Sequence, residues 1–94
     1  MNLAPAVSMD SAIQAKHLLD AWNQGDMSRW HTELDRTAAL CSVADEVEPA
    51  ESERRELLDV VAQRMRRRNL ESHEIRVCLG FLRHLGAPFV SGRE

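Results

Sequence analysis

Apolar residues recur in steps of three and four along most of this chain, a spacing that predicts helices rather than strands. The pattern is strongest from Glu53 to Leu85, a stretch without proline whose one glycine is Gly80. Its seam passes Leu58, Val61, Met65, Arg68, Ser72, Ile75, Leu79 and Leu82, so one face of a helix points steadily at a partner. Leu57, Val60, Cys78 and Leu85 widen that face beyond a two-position stripe. Arg68 and Ser72 interrupt it. A charge on a seam must snorkel, pair or meet water, so a kink, a short break at Asn69 or a solvated layer is expected there.

Ahead of this segment the same spacing predicts two more helical stretches. The first carries Ala12, Ala15, Leu19 and Trp22, with Ile13 and Leu18 beside them, and Ser8 or Asp10 offers its N-cap. Gly25 suits a left-handed C-terminal cap and Asp26 suits the N-cap of the second stretch, so the chain must at least bend here. The seam resumes as Met27, Trp30, Leu34, Thr37, Cys41 and Ala44. It stops before Pro49, which disfavours a helical Glu48 yet is welcome in a first helical turn, where Glu48, Glu51 and Glu53 suit the helix dipole.

Helices are thus expected near 10–24, 27–45 and 50–85, flanked by an N-terminal arm over 1–9 and a tail over 87–94, with the helical domain filling 10–86. Asp10 to Ala44 and Ala50 to Leu85 are 35 and 36 residues. Each would be roughly 53 Å long if fully helical, so an all-α antiparallel helical hairpin is one solution. A three-helix bundle that turns at Gly25 is the other. From Leu19 to Met27 is eight residues. A straight helix would rotate its seam by about 80° over that step, which favours a kink or turn.

Composition adds two constraints. At 94 residues the chain is one domain's worth, small enough for burial against a partner to matter. Its net charge of −3 hides an asymmetry: residues 1–63 carry 5 basic and 12 acidic side chains, residues 64–94 carry 7 and 3. Neither a signal-peptide pattern in Met1–Asp10 nor a run of apolar residues long enough to span a bilayer is present, so a cytoplasmic protein without membrane insertion is expected. Cys41 and Cys78 lie on apolar faces without C-x-x-C spacing and read as reduced core thiols.

Candidate chemistry is sparse. Arg64, Arg66, Arg67 and Arg68 could contact phosphate, but helical geometry spreads them around the cylinder and Glu71 and Glu74 stand nearby, so an ion-paired, solvated face ranks above nucleic-acid binding. His17, His31, His73 and His84 lack metal-ligand spacing, and no phosphate loop, nucleophile elbow or isolated carboxylate pair suggests catalysis or a cofactor. What remains is apolar surface. Leu57, Leu58, Val60 and Val61, then Ile75, Val77, Cys78, Leu79, Phe81, Leu82 and Leu85, exceed what one antiparallel neighbour covers, which suggests a groove for an amphipathic helix, or an interface with a second copy of the chain, with Ile75, Cys78, Leu79, Phe81, Leu82 and Leu85 as the expected contact residues.

The motif Leu19-x-x-Trp22-x-x-Gly25-Asp26-x-x-x-Trp30, followed by Leu34, Arg36 and Leu40, resembles the FlgN/FliT-type flagellar export chaperones of type III secretion. In the second half Asn69-x-x-Ser72-x-x-Ile75, followed by Leu79 and Leu82, is similar to the pattern preceding their substrate-binding helix, with Ser72 in place of a second asparagine. The resemblance implies a bacterial cytoplasmic chaperone that binds an amphipathic helix of a secreted subunit and keeps it soluble. On that reading Ile75, Leu79, Leu82 and Phe81 would be its anchors. The alternative is an adaptor-like, antitoxin-like or nucleic-acid-linked regulator using the Arg64–Arg68 region.

Overall fold

Four helices occur among the described residues. The computed structural model describes residues 9–43, 46–67 and 69–89; most of the expected arm, the seam position Ala44 and the expected helix end at 45, Arg68, and the tail beyond residue 89 lie outside them. Helix α1 spans Asp10–Gln24, α2 spans Met27–Cys41, α3 spans Pro49–Met65 and α4 spans Ser72–Gly86, followed by a 3-10 turn over Ala87–Phe89. No strand occurs among the described residues. The chain is all-α.

Between α1 and α2 the backbone reverses. Gly25 adopts φ 69°, the left-handed region that a Cβ disfavours, and donates its N–H to the Trp22 carbonyl. Asp26 then accepts the Arg29 N–H at 3.1 Å, capping α2. The turn brings Trp22 edge-on to Trp30, ring centroids 5.2 Å apart, a contact worth about 1 kcal/mol beyond its area.

The expected helix over 50–85 is two helices. After Met65 the chain leaves helical geometry, and Glu71 caps α4 while its N–H donates to the Glu74 carboxylate at 3.2 Å. Two polar seam positions in five residues, Arg68 and Ser72, remove the apolar contacts that would hold a continuous helix there. This break shortens the arms. The long two-helix hairpin is therefore replaced, among the described residues, by four helices of 15 to 17 residues.

Contacts fix the directions. Gln14 reaches Glu33 and Thr37, Cys41 lies on the Arg55 carbonyl, and Arg64 meets Glu74, so successive helices run antiparallel. Helix α4 also returns to α1, so closely that a Cβ on Gly86 would stand 3.3 Å from the Lys16 backbone nitrogen. The core between them holds Leu18, Leu19, Trp30, Leu34, Leu58, Val61, Met65, Cys78, Leu82 and Leu85. Most seam positions face it, but Met27 and Ile13 face solvent.

Polar side chains complete the packing. Gln14 donates to the Glu33 carbonyl, the Glu33 carboxylate and the Thr37 hydroxyl, all within 3.2 Å. Glu51 is fully buried. It sits in the first turn of α3 and also caps α1, whose N-cap residue Met9 gives no side-chain hydrogen bond: its Oε2 accepts the Ser11 N–H at 3.0 Å and hydroxyl at 2.7 Å. Arg55 Nε at 3.0 Å and Arg54 Nη2 at 3.0 Å complete its shell. Among the described residues, no buried side-chain nitrogen or oxygen lacks a partner.

Candidate functional site

With the core on one side of the α3–α4 pair, the other side is left as a groove. Helices α3 and α4 run antiparallel, and the positions between their core stripe and their solvent face look outward together. These are Leu57, Val60 and Arg64 on α3, and His73, Val77 and Phe81 on α4, which line a hollow of about 350 Å³. Leu57 also lines a second hollow of about 480 Å³ toward Ala50, His84 and Pro88, so the groove continues along the pair. From Ala50 to Arg64 it runs roughly 21 Å, about four helical turns.

Its exposure is unusual for apolar side chains. Val60 is 57% exposed, Val77 56% and Phe81 42%. Among the described residues, the other large apolar side chains in the exposed class, Ile13, Met27 and Val43, stand on α1, at the start of α2 and just past its end. Scattered apolar residues need no explanation, whereas a cluster on one groove does.

Several expected anchors lie elsewhere. Cys78, Leu82 and Leu85 are core residues, and Leu79 and Ile75 are half-buried, with Leu79 packed against the core. Leu82 has no exposed surface. The reason is the number of neighbours: α4 packs on α1 as well as α3, so two helices consume the apolar excess that one could not. Of the six expected contact residues, Phe81 is the one exposed to a ligand. Val60 and Val77, part of the wider apolar surface but not of that expected set, join it, beside half-buried Leu57, which packs against the core and lines the hollow. Their signal in the sequence was an apolar pair at i, i+4 on α4, Val77 and Phe81, beside the main seam rather than on it.

The arginine run is dispersed. Arg64 Nη1 lies 3.6 Å from Glu74 Oε2, and Arg66 Nη2 lies 3.1 Å from Asp35 Oδ1 on α2. Arg67 is exposed, and Arg68 falls outside the described residues. No single anion cradle forms from the described members.

The thiols are poor nucleophiles. Burial chiefly, with the nearby Asp59 charge, pushes the Cys41 thiol up to about 11, and burial pushes Cys78 up as well. Both are free. Among the described residues no group of three or more His, Cys, Asp or Glu side chains is placed to hold a metal ion. No helix among them is long and apolar enough to cross a membrane.

No family model, characterised protein or solved structure matches the chain.

Proposed function

We propose that this chain is a small helix-binding protein, of the export-chaperone kind, whose α3–α4 groove receives an amphipathic helix of a partner subunit and keeps that helix soluble in the cytoplasm. The observation that carries the reading is the clustering of exposed Val60, Val77 and Phe81 along one groove between two antiparallel helices. A helix laid there would bury its own apolar residues, spaced three and four apart, between these side chains. Fully burying a side chain of this size contributes roughly 1.5 to 3 kcal/mol relative to exposure. Half-exposed side chains give less, so after the cost of association the affinity is micromolar, suited to a carrier that must release its cargo.

Gly80 supports the same reading. It lies in the middle of α4 beside Val77 and Phe81, and a Cβ there would meet nothing within 4 Å. Glycine costs a helix about 1 kcal/mol relative to alanine. Gly86, the last residue of α4, shows how a glycine admits a neighbouring backbone, since α1 crosses it closely. At Gly80 the crossing partner would come from outside the chain.

The nucleic-acid reading is weaker, because Arg64 and Arg66 are turned onto carboxylates of other elements. A phosphate would have to displace those partners.

Gly80→Ala separates the two roles of the position. It should raise the unfolding free energy by up to about 1 kcal/mol, while weakening the binding of a leucine-faced model helix measured by fluorescence anisotropy. Val77→Glu should abolish that binding with helicity unchanged. If both variants bind the model helix as the parent does, the groove is not the binding site and the chaperone reading fails.

A further inference from the structure

On the outer edge of α4 the groove is bordered by two arginines. On α4, Arg76, Gly80 and Arg83 follow one another in steps of four and three, so the two arginines stand on one stripe, about 10.5 Å apart along the axis. This stripe adjoins Val77 and lies on the side of α4 away from α3. Both arginines are exposed, and neither meets a carboxylate among the described residues. In this they differ from Arg54, Arg55, Arg64 and Arg66, each of which pairs with a carboxylate. The lining itself is mixed: Glu53 stands toward one end, and Arg64 paired with Glu74 toward the other.

We propose that the helix seated in the α3–α4 groove carries an acidic flank, with carboxylates about seven residues apart that pair with Arg76 and Arg83. This rests on the groove reading above and specifies its partner. The missing side chain at Gly80 lets the incoming backbone approach between the two arginines, and their long side chains then wrap its flank while Val77 and Phe81 meet its apolar face. Guanidinium groups suit this task because each can hold a carboxylate with two parallel hydrogen bonds. Charge pairs at the border of an interface set partner choice and association rate more than total affinity. The acidic flank therefore acts as the selector and the apolar strip as the anchor. A membrane surface fits less well: the apolar strip beside these arginines is short, and the chain as a whole carries a net charge of −3.

The test uses the full chain and two synthetic amphipathic helices with identical leucine faces, one flanked by glutamates seven residues apart and the other by lysines. The parent should prefer the glutamate-flanked helix by about fivefold to tenfold at low ionic strength, a preference that fades with salt. Arg76→Glu combined with Arg83→Glu should reverse the order while leaving the circular-dichroism spectrum unchanged. Equal binding of both peptides, or an order that the double variant does not reverse, overturns the acidic flank and leaves the groove standing. Failure of the parent to bind either peptide overturns both. Tighter binding to phosphatidylglycerol vesicles or duplex DNA than to the glutamate-flanked helix, lost in the double variant, would assign the arginines to those surfaces and overturn the proposal. So would self-association of the parent that the double variant abolishes.

Discussion

Glu51→Gln should destabilise the fold more than any change at its exposed neighbours, by about 3 to 5 kcal/mol in chemical denaturation. A domain of this size has roughly 5 to 15 kcal/mol in all, so the variant will be close to unfolding at body temperature. The reason is the position of the carboxylate. It is fully buried, with Ser11, Arg54 and Arg55 all directed at it, and it stands at the N-terminal ends of two helices, α3 and α1. The neutral amide turns two N–H donors toward groups that are themselves donors, and leaves the nearly buried Arg55 guanidinium without this counter-charge. Glu53→Gln, two residues away and exposed, should change stability by no more than about 0.5 kcal/mol.

The same site gives a pH dependence with a defined sign. Burial alone would raise the Glu51 carboxyl, but the hydrogen bonds from the Ser11 hydroxyl and N–H, and from Arg55 and Arg54, outweigh it and hold the group below the ordinary carboxylate value. A carboxyl depressed in the folded state contributes its full stability above its unfolded pKa, about 4.3, and loses it as the pH falls through the folded value. The stability gap between the parent and Glu51→Gln should therefore be widest near neutrality and narrow in acid. A gap independent of pH would mean that the variant fails by packing and not by loss of charge.

Leu82→Ala should cost about 2 to 5 kcal/mol, because Leu82 has no exposed surface and truncation leaves a cavity among α1, α3 and α4. Phe81→Ala, one residue earlier, should cost under about 1 kcal/mol in the isolated chain, since Phe81 is 42% exposed. Its effect should instead fall on partner binding. Thermal melts of the two variants beside a binding assay check both halves: similar losses of stability would place Phe81 in the core and remove the apolar strip on which the groove depends.

This contrast shows what the sequence could and could not convey. A bend at Gly25–Asp26 and the inward line of Trp30, Leu34 and Thr37 follow from local chemistry and from periodicity, and the structure has both, the bend as a full reversal that the local pattern left open. The interruption near Asn69 was legible too, because a seam that places Arg68 and Ser72 on its apolar line has nothing to bury there. The direction of the α4 face was not. A broad apolar face fits either an open groove or two packed neighbours, and periodicity does not count neighbours, so Leu82 read as an anchor when it is core. The buried carboxylates were hidden for a related reason. Glu33 and Glu51 look like ordinary surface acids until Gln14 and Ser11, 19 and 40 residues away in the chain, are brought against them. Glu51 was expected to favour its own helix dipole, and the structure adds a second helix end that no local pattern could announce. The groove itself falls between these cases: Val77 and Phe81 are visible as a pair, but their exposure depends on where α1 chooses to pack.

Methyl and aromatic chemical shifts of the full chain, followed while a leucine-faced amphipathic helix with a glutamate flank is titrated in, test the groove most directly. Binding in the α3–α4 groove should move the signals of Leu57, Val60, Val77 and Phe81 first and most, with Leu34 and Ile13 nearly still. Shifts centred on α1 and α2, or a titration that moves nothing, would contradict it.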